Sequence, residues 1–214
     1  MNMQPHEFPP LELYRLLIHS VAPRPIAWVS TISKDGIHNL APFSFFNALC
    51  ATPPLLAFCP GVRSQKSRQT LGSGVKDTLR NIRETGEFVV NVVTFPLAEP
   101  MNLTSGEYEA SVDEFEVAGL TMRPSQHVKP AHVAESPVNF ECKVFQILDF
   151  GTDTAGASLV IGEIVSVHLE EKILREGRID GQLLDVVGRM GGAQYCRTTE
   201  RFNMARPEIK PQRQ

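Results

Sequence analysis

The two longest β patterns in the chain, Val138 to Phe150 and Ser158 to Leu169, are parted only by the turn-forming stretch Gly151 to Gly156. Runs of this length with alternating and β-branched residues read as strands, and they commit the chain to a sheet. What precedes them adds more strands. After Pro23 and Pro25, the run Ile26 to Ser33 is β-rich, and Lys34-Asp35-Gly36 is a hairpin turn leading to a returning strand at Ile37 to Asn39. Phe43 to Ala51 is apolar and aromatic, Thr52-Pro53-Pro54 breaks it, Leu55 to Cys59 reads as a buried strand, and Phe88 to Val93 as another. The helical signals are short. Pro9 to His19 predicts a turn and an amphipathic helix. Val75, Leu79 and Ile82 recur at helical spacing up to Gly86, and Pro96 to Gly119 reads as helical in part. Strands and helices do not alternate as in a doubly wound fold. The expectation is a mostly β chain, a closed or partly closed antiparallel barrel with short helical insertions.

The bulk properties narrow the partner. The chain has 214 residues, 42% apolar and 21% charged, with a net charge of −3. That suits one large globular domain, and it offers no basic field for nucleic acid. A small-molecule partner is expected. No apolar run approaches the roughly 18 residues that span a bilayer, and Met1 to Pro10 has no cationic stretch leading into an apolar core. Cys50, Cys59, Cys142 and Cys196 are scattered without a C-x-x-C pair. They read as buried thiols in a reducing cytoplasm, with neither a disulfide frame nor a metal site.

Several familiar motifs fail. Gly72-Ser-Gly74 lacks the third glycine of a dinucleotide fingerprint, and the chain contains neither a Walker loop nor a G-x-S-x-G elbow. His127 and His132 fall in a proline-bounded stretch that reads as a surface loop. Ser44 has no recognisable histidine–carboxylate pair, so no catalytic acid–base dyad is assigned. The acids Glu107, Glu109, Asp113, Glu114 and Glu116 read as a solvated face.

Two stretches remain. Pro60 to Gly74 reads as a polar, basic loop, and Arg63, Lys66, Arg68 and Lys76 stand in or beside it with several hydroxyl residues and no acid before Asp77. Such donors next to a helix N-terminus suit a phosphate monoester. A solvated basic loop capped by Ser73 or Asp77 accounts for the same composition. Ala41 to Leu49 combines flat apolar side chains with small polar ones and could hold the edge of a planar ring. A core strand with aromatic packing accounts for that too. Together they suggest a planar ring carrying one terminal phosphate, the shape of FMN.

The runs Arg24-Pro-Ile-Ala-Trp-Val-Ser-Thr31, Asn39-Leu-Ala-Pro-Phe-Ser-Phe-Phe-Asn47, Lys76-Asp77-Thr78 with Asn81, Glu87-Phe-Val-Val-Asn91, Ile161-Gly162-Glu163 and Arg189-x-Gly-Gly-x-x-Tyr195 resemble the flavin reductase-like family of FMN-binding split barrels, which includes the flavoredoxins. The likeness runs over roughly residues 20 to 200. It implies an N-terminal extension at 1–20, a split-barrel domain at 21–200 and a tail at 201–214. It further implies a homodimer with one FMN per subunit and NADH or NADPH as co-substrate, passing electrons to a small molecule or redox protein. By matching position, Thr31 and the backbone around Ser44, Phe45, Phe46, Asn47 and Ala48 would hold the ring. Lys76 and Thr78, with Arg63 or Ser64, would hold the phosphate, while Asp77 would cap the helix. Arg189 and Tyr195 would line the flavin or fix the chain end. A non-catalytic electron carrier and an FMN-dependent oxidase remain alternatives within this resemblance.

Overall fold

The computed structural model of the protein describes residues 2, 4–151 and 156–207. The centre of the predicted Gly151–Gly156 turn and the last seven residues of the tail lie outside the described residues. Seven strands form one antiparallel sheet: β1 (Ala27–Ile32), β2 (His38–Phe43), β3 (Phe46–Ala51), β4 (Pro54–Phe58), β5 (Glu87–Val92), β6 (Val138–Phe150) and β7 (Ala157–Leu169), in the order β2-β1-β5-β6-β7-β4-β3. The two strands at the ends of that order, β2 and β3, are consecutive in the chain, joined only by Ser44 and Phe45. A sheet whose outermost strands are tied by two residues must curl until its edges meet. The result is the split barrel.

The barrel is filled from every side. Ala27 and Val29 of β1, Phe43 of β2, Leu56 and Phe58 of β4, Phe88 and Val90 of β5, Cys142 of β6 and Val160 of β7 form one buried cluster. Phe58 sits between Phe43 and Phe88, with ring centroids at 5.2 and 5.5 Å. Gly162 leaves room for this stack, because a Cβ there would run into the Phe88 ring. The helix α1 (Pro10–Ser20) begins with proline at its first position, where the missing N–H costs nothing. After it come α2 (Gln65–Leu71) and α3 (Asp77–Thr85). From α3, Leu79 and Ile82 enter the barrel core, and Gly86 ends the helix at φ 72°. A second cluster on the outer face of β1 and β2 contains Trp28, Leu40, Met101 from α4 (Ala98–Leu103) and Phe115 from α5 (Glu114–Val117). The Trp28 indole donates to Thr104 at 2.9 Å. Among the described residues no helix is long and apolar enough to cross a membrane.

Five expectations need correction. The returning strand does not stop at Asn39 but runs to Phe43 through Pro42, which is tolerated because β2 pairs on one side only. Pro60 to Gly74 is not a plain loop, since α2 lies within it, capped by the Ser64 hydroxyl at one end and by Gly72 at φ 69° at the other. Glu114 is not on a solvated face. It is buried and accepts the Leu40 N–H at 2.9 Å. His127 is exposed, but His132 is buried against Glu141 at 3.0 Å. Burial alone would raise the Glu141 carboxyl, but the amides of Gln126 and His127, together with His132, outweigh it and hold it low. Burial holds His132 below its ordinary value. Of the four thiols, all free, only Cys142 is fully buried, while Cys50 is exposed on β3. The reading of Cys50 as a buried filler is thereby overturned.

Candidate functional site

The residues singled out in the sequence gather at opposite ends of the β1–β2 hairpin. At one end, Thr31 faces Asn39 across the ladder, and at the other Ala27 faces Phe43 beside Ser44. Four residues of strand separate these ends by roughly 13 Å.

At the Thr31 end the side chains lock into a buried amide–hydroxyl cluster. The Thr31 hydroxyl accepts the side-chain amides of Asn39 at 3.2 Å and Asn81 at 3.1 Å, and Asn39 also donates to Thr78 at 2.9 Å. The Asn81 carbonyl oxygen is buried and has no partner among the described residues. Lys76 occupies the N-cap position of α3, which has no side-chain cap. Its ammonium is half-buried, and burial lowers its pKa although Glu107 acts in the opposite direction. Among the described residues it forms no ion pair.

Asp77 does not cap α3, contrary to expectation. It forms a buried ion pair with Arg63, and Arg80 adds a second contact at 2.6 Å. A carboxylate facing two guanidiniums gains more from the charges than from the helix amides. A cleft of about 400 Å³, lined in part by Arg63, Ser73, Asp77 and Arg80, opens beside this pair. Ser64, exposed, serves as the cap of α2 and also contacts Glu107 at 3.2 Å.

At the other end lie Ser44 and the strand that follows it. Phe45 is exposed, with the Tyr14 ring centroid at 6.3 Å and the Arg24 guanidinium at 5.9 Å from its ring. Phe46 packs partly against the barrel core, but Asn47, Ala48, Leu49 and Cys50 are exposed. This segment is therefore an uncovered edge and not the core strand that its aromatics also suggested. β3 pairs with β4 alone, so main-chain groups along its other side are free for a ligand.

Arg189 and Tyr195 belong to this end too. The Arg189 guanidinium donates to the Tyr195 hydroxyl and to the Gly192 carbonyl, and lies 4.4 Å from the Tyr195 ring centroid. Reciprocal main-chain bonds of 2.9 and 2.8 Å join Arg24 and Arg189. A cleft of about 360 Å³ is lined by Ser44, Arg24, Arg189 and Tyr195, together with Tyr14 and Ser105. Arg24, Asn39 and Asn81 had no role assigned from the sequence. Their signal was a charged or amide side chain set within apolar patterning.

Residues 19–193 match the flavin reductase like domain. An uncharacterized protein of Halalkalibacterium halodurans is 39% identical over 216 residues, covering 100% of each chain. Among solved structures, nitrilotriacetate monooxygenase component B from Bacillus cereus is 31% identical with a TM-score of 0.86, covering 95% of this chain and 98% of that one. The 2-nitrobenzoate 2-nitroreductase of Pseudomonas fluorescens is 33% identical with a TM-score of 0.84, covering 99% of both chains. With the split barrel, these matches establish that the chain belongs to the flavin reductase-like family.

Proposed function

We propose that the protein binds FMN and reduces it with NADH or NADPH, acting as a homodimer that passes electrons to a separate acceptor. The observation that carries the FMN reading is Lys76, a half-buried ammonium without an ion-pair partner among the described residues, at the uncapped N-terminus of α3. A phosphate monoester suits that position, where free amides and the helix dipole add to the charge. The unpartnered Asn81 carbonyl oxygen next to it suits a hydroxyl of a sugar-alcohol chain. The residues present therefore fit the cofactor.

When bound, the flavin would supply the chemistry by accepting hydride from the nicotinamide at N5. The chain's own residues would bind and orient. Lys76 and Arg63 would hold the phosphate. Thr31, fixed by two amide donors, would present a rigid wall. The free edge of β3 from Phe45 to Ala48 would offer main-chain groups to the rim of the ring. No side chain needs to move a proton, which agrees with a site built without an acid–base dyad. Phe145, Phe150, Val167 and Leu169 are exposed on β6 and β7, and Leu49 on β3. Such an apolar surface suits burial against a second copy.

The purified protein, titrated with FMN, is expected to take up the flavin and turn yellow. Anaerobic NADH or NADPH is then expected to bleach it. Uptake without bleaching by either nucleotide would replace the reductase reading with that of an electron carrier. Absence of uptake would remove both.

A further inference from the structure

We propose that the cleft at the Ser44 end is a binding site for a small aromatic carboxylate, anchored by the Arg189 guanidinium. The lining contains two guanidiniums, Arg24 and Arg189, and no carboxylate. Neither arginine forms an ion pair among the described residues. Their backbones are bonded to each other, so the two cations cannot drift apart, and each works against the other's charge. An anion relieves that repulsion.

The two arginines are not equivalent. Arg24 is 5% exposed. Its guanidinium is spent on the carbonyls of Ile18, Val21 and Met190 and on the Ser44 hydroxyl. It positions the cleft and supplies charge. Arg189 is half-buried and commits donors only to Tyr195 and Gly192. A guanidinium has five N–H groups in a planar fork, so Arg189 keeps donors for a carboxylate. The remaining lining of Ile18, Ile26, Pro42 and Met101 is apolar and suits the face of a ring. At about 360 Å³ the cleft lies at the small end of ligand sites, where one ring fits better than a dinucleotide. The fate of the bound acid, reduction beside the ring-holding segment, rests on the reductase reading. Its binding does not.

The test is calorimetric titration of benzoate into the purified chain, with and without added FMN. Benzoate is expected to bind the unaltered protein at least tenfold more tightly than benzamide, which has the same ring and no charge. Arg189→Gln is expected to weaken benzoate at least tenfold. The benzamide comparison needs no variant, so it stands even if Arg189→Gln fails to fold. Three results would overturn the proposal: equal affinity for the two probes, displacement of benzoate by NADH, or loss of FMN affinity in Arg189→Gln in step with loss of benzoate. The last two would hand the cleft to the nicotinamide or to the flavin. Failure of the unaltered chain to take up FMN would strike the reductase reading alone, because the titration without flavin still decides the cleft.

Discussion

Glu114, the first residue of α5, accepts the backbone N–H of Leu40 in β2 at 2.9 Å. The contact caps an otherwise open position on the edge of the sheet, and it places a carboxyl in a buried setting. Burial first, with Asp77 and Asp113 adding to it, pushes that carboxyl up from its ordinary 4.5 to about 7. The folded chain thus holds this proton more tightly than the unfolded one. The stability the group contributes is full below about pH 4.5 and is lost as the pH rises through about 7. Glu114→Gln keeps an acceptor for Leu40 and cannot ionise. It is expected to raise the melting temperature by several degrees at pH 8 and by much less at pH 5. A calorimetric gap that does not change with pH would show that Glu114 does not titrate in this range.

Glu141 collects the amides of Gln126 and His127 at 2.9 and 2.6 Å and the His132 ring at 3.0 Å, all in a buried site. Glu141→Ala strands these donors at once, and each buried unsatisfied group costs about 1–3 kcal/mol. Urea unfolding at pH 7 is expected to show a loss of about 3 kcal/mol or more. In the unaltered chain, Glu141 contributes stability above about pH 4.5 and neutral His132 above about pH 6.5, because both are held below those ordinary values. Both contributions fade as the pH falls. Urea midpoints of the unaltered protein should therefore drop on acidification toward pH 4, and those of Glu141→Ala should drop less.

Gly162 faces the Phe88 ring with no room for a Cβ, and Cys142 closes the other side at 3.2 Å. Gly162→Ala is expected to destabilise the fold by about 1–3 kcal/mol through overpacking. Combining it with Phe88→Leu should return part of that loss in the same thermal melts.

Lys76→Ala is expected to weaken FMN by tenfold or more, since a charged hydrogen bond contributes roughly 1.5–3 kcal/mol, with little change in melting temperature. Thr78→Ala tests a different thing. Its hydroxyl is buried and accepts Asn39, so a lower melting temperature is expected whatever happens to the flavin. Equal FMN affinity in Lys76→Ala, read by fluorescence titration, would place the phosphate elsewhere.

The elements legible in the sequence were those whose signal is local. The Lys34–Gly36 turn, the apolar face of α3 with its Gly86 stop, and the alternation in β6 and β7 need no knowledge of distant partners. Helix α2 was missed because Gln65 to Leu71 is almost wholly polar and shows no buried stripe. Only its cap residues, Ser64 and Gly72, marked it. Glu114 and His132 were placed on the surface because nothing nearby in sequence explains their burial. The groups that satisfy them, the Leu40 amide and Glu141, arrive from other strands. β3 misled in the opposite sense. Its apolar residues signal contact with something, and the sequence alone does not say whether that is the core, a ligand or another chain. The split of the candidate site into two ends was equally hidden, because it follows from the pairing of Thr31 with Asn39 and of Ala27 with Phe43.

The pairing of β4 with β7 joins Leu55–Phe58 to Val160–Glu163, segments far apart along the chain, whereas β1–β2, β3–β4 and β6–β7 link consecutive strands. Closing a long loop costs entropy before any contact repays it. The hairpins can therefore assemble early and independently, and the junction of β4 with β7 is the slow, last step that turns an open ribbon of strands into a vessel. Until that junction forms, the β3 edge and the two ends of the β1–β2 hairpin have no fixed arrangement around one another, so competence to hold a ligand should appear only with the final phase of refolding.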